Sequence, residues 1–267
     1  MQKILLTCSY MILYHKQYLN KESNEWVTFI HGAGGSSSIW FSQLKDFKKT
    51  VNVLLIDLRG HGGNKESSIE IKYTFDIVVN DILEVLDYRK INESHFIGIS
   101  LGTIIIRKLA DAKPALVKSM ILGGAILKLN VKSKILISLG QVFYRFVPYM
   151  VLYRLFALII LPRKNHKASR ILFIREARKL YQNEFDKWFG LIGEINSILK
   201  EIRNIAPKVP TLYIMGEQDY IFLPIVDKLV NFQSNSSLQI ISNCGHVVNV
   251  EKPDLFNQLS LSFLLKS

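Results

Sequence analysis

Cysteine is nearly missing. Cys8 and Cys244 are the two in 267 residues, and they stand far apart in the chain. Such a pair builds no disulfide framework and no metal-ligand spacing, so a reducing compartment, the cytoplasm, is the expected location. No cluster of His, Cys, Asp and Glu marks a metal centre, and no cofactor or metal is expected. The glycine-rich "HGAGGSSS" (31–38) lacks the Lys-Ser/Thr pair that would complete a phosphate loop. Repeats and low-complexity tracts are also absent, which excludes a repeat array. The first 19 residues carry an apolar stretch but no small-residue cleavage site follows, so a pair of edge strands is expected there rather than a targeting signal.

A long uninterrupted apolar run is lacking too. The greasiest stretch, "FVPYMVLYRLFALIIL" (146–161), lies among Arg145, Arg154 and Arg163 and contains Pro148. The eight-residue segments between those arginines are too short to span a bilayer. Acidic residues are scarce in one region only. Residues 128–208 hold 16 Lys and Arg against 5 Asp and Glu, whereas the rest of the chain is almost neutral with 18 against 17. The net charge of +12 is therefore local. Its nucleic-acid reading has no recognisable module behind it, so no nucleic acid is expected as a partner.

What is present alternates. "WVTFI" (26–30), "VNVLLIDL" (51–58), "SHFIGI" (94–99) and "VKSMILGG" (117–124) are apolar β-type runs separated by helical patterns at 73–88 and 101–113. That alternation predicts a parallel sheet covered on both faces. From about 125 to 207 no strand is predicted, only helices, including basic amphipathic ones at 168–182 and 184–204. Strand-then-loop patterns return at 209–219 and 237–246, followed by a helix at 253–265. The expected organisation is a sheet core of residues 1–124 and 208–267 interrupted by a helical insertion at 125–207.

Ser100 sits between Gly98 and Gly102 at the end of the fourth run, a G-x-S-x-G spacing suited to a sharp strand-to-helix turn. Asp219 and His246 follow two further strands. Loops leaving the carboxyl edge of a parallel sheet converge, so residues distant in sequence can meet there. An imidazole beside a serine hydroxyl takes its proton during attack, and a carboxylate fixes the imidazole tautomer. Glu217 is the competing carboxylate in the Asp219 loop.

The stretches "HGAGGSSSIW", "DLRGHGGN", "GISLG", "GEQDYI" and "CGHVVNVEKP" occur in an order and spacing that resemble the α/β-hydrolase fold family over nearly the whole chain. The resemblance implies an α/β fold with a mostly parallel central sheet flanked by helices and an inserted helical cap. It implies a nucleophilic Ser100, a general base His246 and its partner Asp219. It also implies that the backbone N–H groups of Ala33 and Leu101 receive the oxyanion. His31 and His61 take structural roles, Asp57 braces a loop with His61, and Cys244 is an inert thiol. A small-molecule carboxylic ester with an apolar acyl part is the expected substrate. The alternative is a carbon–carbon bond hydrolase or lyase-type synthase acting on a small anionic substrate; a non-catalytic scaffold is a third reading. A serine in this turn argues against relatives that use aspartate there, the haloalkane dehalogenases and epoxide hydrolases. The cap has two readings: a lid lining an acyl pocket, or an interfacial lid that makes peripheral contact with an anionic membrane.

Overall fold

The structure, a computed structural model, describes residues 12–64, 72–130, 134 and 147–267. Seven strands form one sheet: β1 His15–Tyr18, β2 Trp26–Ile30, β3 Asn52–Ile56, β4 Ser94–Ile99, β5 Val117–Gly123, β6 Thr211–Gly216 and β7 Ser236–Ile241. Their spatial order is β1-β3-β2-β4-β5-β6-β7. Only β1 pairs antiparallel, placing His15 opposite Ile56. The others run parallel, with Ile30 opposite Gly98 and Ile99 opposite Gly123. The loops after β2, β4, β5, β6 and β7 therefore leave the same edge.

Alternation along the strands splits the core into two layers. Phe96, Leu122, Tyr213 and Met215 face one side, where α2 Phe75–Tyr88, α3 Leu101–Ala112, α7 Ile192–Asn204 and α8 Leu223–Val230 pack. Val27, Phe29, Ile97, Ile121 and Ile214 face the other, against α1 Phe41–Phe47, α9 Val248–Glu251 and α10 Pro253–Leu264. Period-two burial on both faces is what a sheet covered by two helical layers requires.

Between β5 and β6 the described elements are helical: α4 Tyr149–Ile160, α5 Lys167–Ala177, α6 Gln182–Gly190 and α7. Helix α4 starts immediately after Pro148, whose ring cannot continue a preceding helix. One expectation needs correction. The helix predicted over 184–204 is two helices that part at Leu191, next to Gly190, where helix propensity is weak. Of the pair of strands expected near the amino end, β1 is the described one; residues 1–11 lie outside the described residues, as do most of 132–146.

The turn that presents Ser100 rests on close backbone contact. A Cβ at Gly102 would lie 2.8 Å from the His31 carbonyl oxygen, and one at Gly98 would lie 2.6 Å from Ile106 Cδ1. Gly102 lets helix α3 approach the end of β2 this closely, and Gly98 lets it approach β4, because both positions lack side chains. By contrast, Gly193 in the first turn of α7 has open space around its missing Cβ. Gly102→Ala is expected to destabilise the fold by about 1–3 kcal/mol. Gly193→Ala should stabilise it by about 0.5–1 kcal/mol. Chemical denaturation of both variants checks the contrast.

Candidate active site

Ser100 occupies the turn between β4 and α3 at φ 53°, ψ −118°, outside the regions ordinary side chains favour. Its N–H donates to the Gly123 carbonyl at 3.0 Å, and its own carbonyl accepts from Thr103 Oγ1 at 2.6 Å. His246, in the loop after β7, brings Nε2 to 3.0 Å from Ser100 Oγ. Its Nδ1 is 2.7 Å from Asp219 Oδ2, in the loop after β6. Nδ1–H donates to the carboxylate, leaving Nε2 to accept from the hydroxyl. The second oxygen, Asp219 Oδ1, accepts the Phe222 N–H at 3.1 Å, which fixes the carboxylate plane. Asp219 and His246 are buried, so their pairing is poorly screened.

The competing carboxylate behaves differently. Glu217 is exposed, and its Oε2 accepts the N–H of Asn243, a residue at φ 51°. It braces the histidine loop and leaves the imidazole to Asp219. Cys244 is buried, and burial pushes its thiol up to about 12. At neutral pH it is a protonated packing group.

Ala33 and Leu101 line the same cavity as Ser100 and His246. The loop carrying Ala33 is braced from below. His61 Nε2 accepts the Gly34 N–H at 3.0 Å, while its Nδ1–H donates to the Arg59 carbonyl at 2.9 Å. His31 is arranged alike: Nε2 accepts the Leu58 N–H at 3.0 Å and Nδ1–H donates to the Gly32 carbonyl at 2.7 Å. These bonds need both rings neutral. Burial, followed by the neighbouring His31, lowers His61 to about 3, and burial lowers His31 as well. Asp57 adds Oδ1 to the Ser37 N–H and Oδ2 to the Gly63 N–H at 2.8 Å.

The cavity above these groups measures about 310 Å³. Its walls are mostly aliphatic and aromatic side chains from α4 to α7 and from the sheet-edge loops. Among the described residues, none of its lining side chains is Lys or Arg. Three residues of the β5–β6 segment that line the cavity or support its loops lie outside every motif. Tyr153 packs over Gly34 in the loop after β2 that carries Ala33. Glu176, on α5, accepts from Ser36 Oγ at 2.8 Å and from Lys179 Nζ at 2.7 Å. Burial would raise the Glu176 carboxyl, but the Lys179 and Ser36 bonds outweigh it and hold it below its ordinary value. His166 is fully buried; its Nδ1 accepts the Arg163 N–H at 3.3 Å and its Nε2–H donates to Gln218 Oε1 at 2.9 Å, beside Asp219. No local pattern marks these three, because their roles depend on how the helices dock. Among the described residues, no group of three or more His, Cys, Asp or Glu is placed to hold a metal ion.

The sequence profile of the family described as "Alpha/beta hydrolase family" matches residues 29–259. Protein ABHD8 of Bos taurus is 28% identical over 89% of this chain and 55% of its own length, so the chain spans about half of that relative. The putative 2-succinyl-6-hydroxy-2,4-cyclohexadiene-1-carboxylate synthase of Bacillus subtilis is 25% identical over 91% of each chain. Among solved structures, the enol-lactonase from Burkholderia xenovorans LB400 superposes with a TM-score of 0.78. That superposition covers 95% of this chain and 96% of the other at 19% identity.

The buried imidazole of His61 makes stability depend on pH. Below its ordinary value of 6.5 the unfolded chain takes up a proton there, whereas the folded ring stays neutral down to about 3. Unfolding is therefore favoured as pH falls through that window. Denaturation midpoints measured between neutral pH and about 5 should decline, and His61→Gln should flatten the decline while lowering stability at neutral pH.

Proposed function

The chain belongs to the alpha/beta hydrolase family, and on that premise we propose that it is a serine hydrolase cleaving carboxylic esters with an apolar acyl group. The observation that carries this reading is the hydrogen-bonded chain Ser100–His246–Asp219 opening onto an apolar cavity. In the reaction, Ser100 Oγ attacks the ester carbonyl as His246 Nε2 removes the hydroxyl proton. The imidazolium so formed is stabilised by Asp219. Negative charge that develops on the carbonyl oxygen meets the N–H groups of Leu101, at the start of α3, and Ala33. Donors fixed before the reaction need not reorganise during it, and each is worth about 3 kcal/mol. The tetrahedral intermediate collapses, His246 returns the proton to the departing alcohol, and an acyl group remains on Ser100. Water then attacks that ester with His246 again acting as base, releasing the acid and restoring the hydroxyl. In this reading residues around 125–207 act as a cap whose helices form the acyl-binding wall.

A second reading follows from the Bacillus subtilis relative, named as a synthase of a carboxylate product: the same triad acting on a small anionic substrate. The basic residues of the cap segment are the feature that would suit it. Yet among the described residues none of them lines the cavity, whose titratable lining includes Glu176 and His246. That distribution supports a neutral, apolar substrate.

Ser100→Ala should lower turnover of p-nitrophenyl esters by about 10⁴-fold or more while leaving the circular dichroism spectrum unchanged. Asp219→Asn should cost about 10⁴-fold, and Glu217→Gln less than about tenfold. Activity retained in Ser100→Ala, or a larger loss from Glu217→Gln than from Asp219→Asn, would overturn the assignment.

A further inference from the structure

Helices α4 and α5 each turn one face to the cavity and the opposite face to solvent. Inward on α4 are Tyr153, Phe156, Ala157 and Ile160, and on α5 Ser169, Leu172, Phe173 and Glu176. The outer face of α4 presents Val151, Arg154, Leu155 and Leu158, at steps of three, one and three. Its three aliphatic side chains are 50%, 46% and 57% exposed. The outer face of α5 presents Lys167, Ile171 and Arg175, continued by Arg178 just past its end, all exposed, with Ile171 at 57%. Single exposed aliphatic residues are ordinary, but four on two packed helices, at helical spacing, are not.

The charge around them has one sign. Residues 148–181 hold eight Lys and Arg and a single acid, Glu176. That acid is buried and already engaged by Ser36, Lys179 and Arg175. Arg170 is turned onto the Leu161 and Arg163 carbonyl oxygens. Arg154, Lys167 and Arg178 remain as exposed cations on the outer face or its edge.

From these observations we propose that the outer face of the α4–α5 hairpin docks on an anionic lipid bilayer. Aliphatic side chains would enter the acyl boundary while the cations meet lipid phosphates and carboxylates. The contact proposed is peripheral; among the described residues no helix is long and apolar enough to cross a membrane. A second copy of this chain fits poorly, because a two-fold contact through this face would set like charges against each other. A nucleic acid fits poorly as well, since the face offers aliphatic rather than stacking side chains. The contact does not depend on the esterase reading. If both hold, lipid lies against the back of the pocket wall.

The test is co-sedimentation of the full chain with vesicles of phosphatidylcholine alone and of phosphatidylcholine with phosphatidylglycerol. Binding to the anionic vesicles should be at least about tenfold stronger and should weaken as salt is raised. The double variants Leu155→Asp/Leu158→Asp and Arg154→Glu/Arg178→Glu should each lose about tenfold of it. Both should turn over a water-soluble ester like the parent chain, which separates loss of docking from loss of the site. Equal binding to neutral and anionic vesicles, or unchanged binding by both variants, would overturn the proposal. So would a concentration-dependent dimer abolished by Leu155→Asp/Leu158→Asp, which would assign the face to a second copy.

Discussion

Everything at this site rests on how closely α3 approaches the end of β2. The helix starts at the turn holding Ser100, and Gly102 lies against the Ile30 and His31 carbonyls with no room for a side chain. That contact holds Ser100 at φ 53°, a conformation costing about 1–3 kcal/mol that the surrounding core must offset. Helix α3, buried along nearly its whole length, supplies that core. The result is a hydroxyl raised above the sheet edge beside the first N–H of a helix. Neighbouring loops then have one place to meet it.

The two loops that meet Ser100 are tied to each other as well as to the sheet. Gln218 N–H donates to the Cys244 carbonyl at 2.8 Å, and Glu217 holds the Asn243 N–H. Glu251 accepts the Gly245 N–H at 2.7 Å. His166 reaches from the segment before α5 onto Gln218, and Glu176 reaches from α5 onto Ser36. Helix α5 is thus pinned at one end to the histidine and aspartate loops and at the other to the loop after β2. A shift of that helix would move the pocket wall together with the loops that hold Ala33, Asp219 and His246; in the proposed reaction that couples substrate fit to the geometry of attack.

Much of this was legible from residue order. Strands β2 and β4 fall where their apolar runs do, because buried parallel strands are short, continuous and β-branched. Gly98 and Gly102 marked the turn because only glycine tolerates such crowding. The resemblance carried Ser100, Asp219 and His246, and the structure brings all three within hydrogen-bond reach. Other features were not legible. The break at Leu191 is one, since two amphipathic helices in series share a periodicity with one long helix. The positions of Tyr153, His166 and Glu176 are another, because helix docking is a long-range property. The charge surplus could be counted from the residues, but its orientation could not: the hairpin's one acid faces inward and several of its cations face outward.

The central claim is that the hydroxyl of Ser100 is made nucleophilic by its neighbours. The most direct measurement is reaction with a fluorophosphonate probe followed by mass mapping of the modified peptide. The account predicts stoichiometric labelling on Ser100, lost when His246 is replaced by alanine. An unlabelled folded protein, or a label carried by another residue, would contradict it.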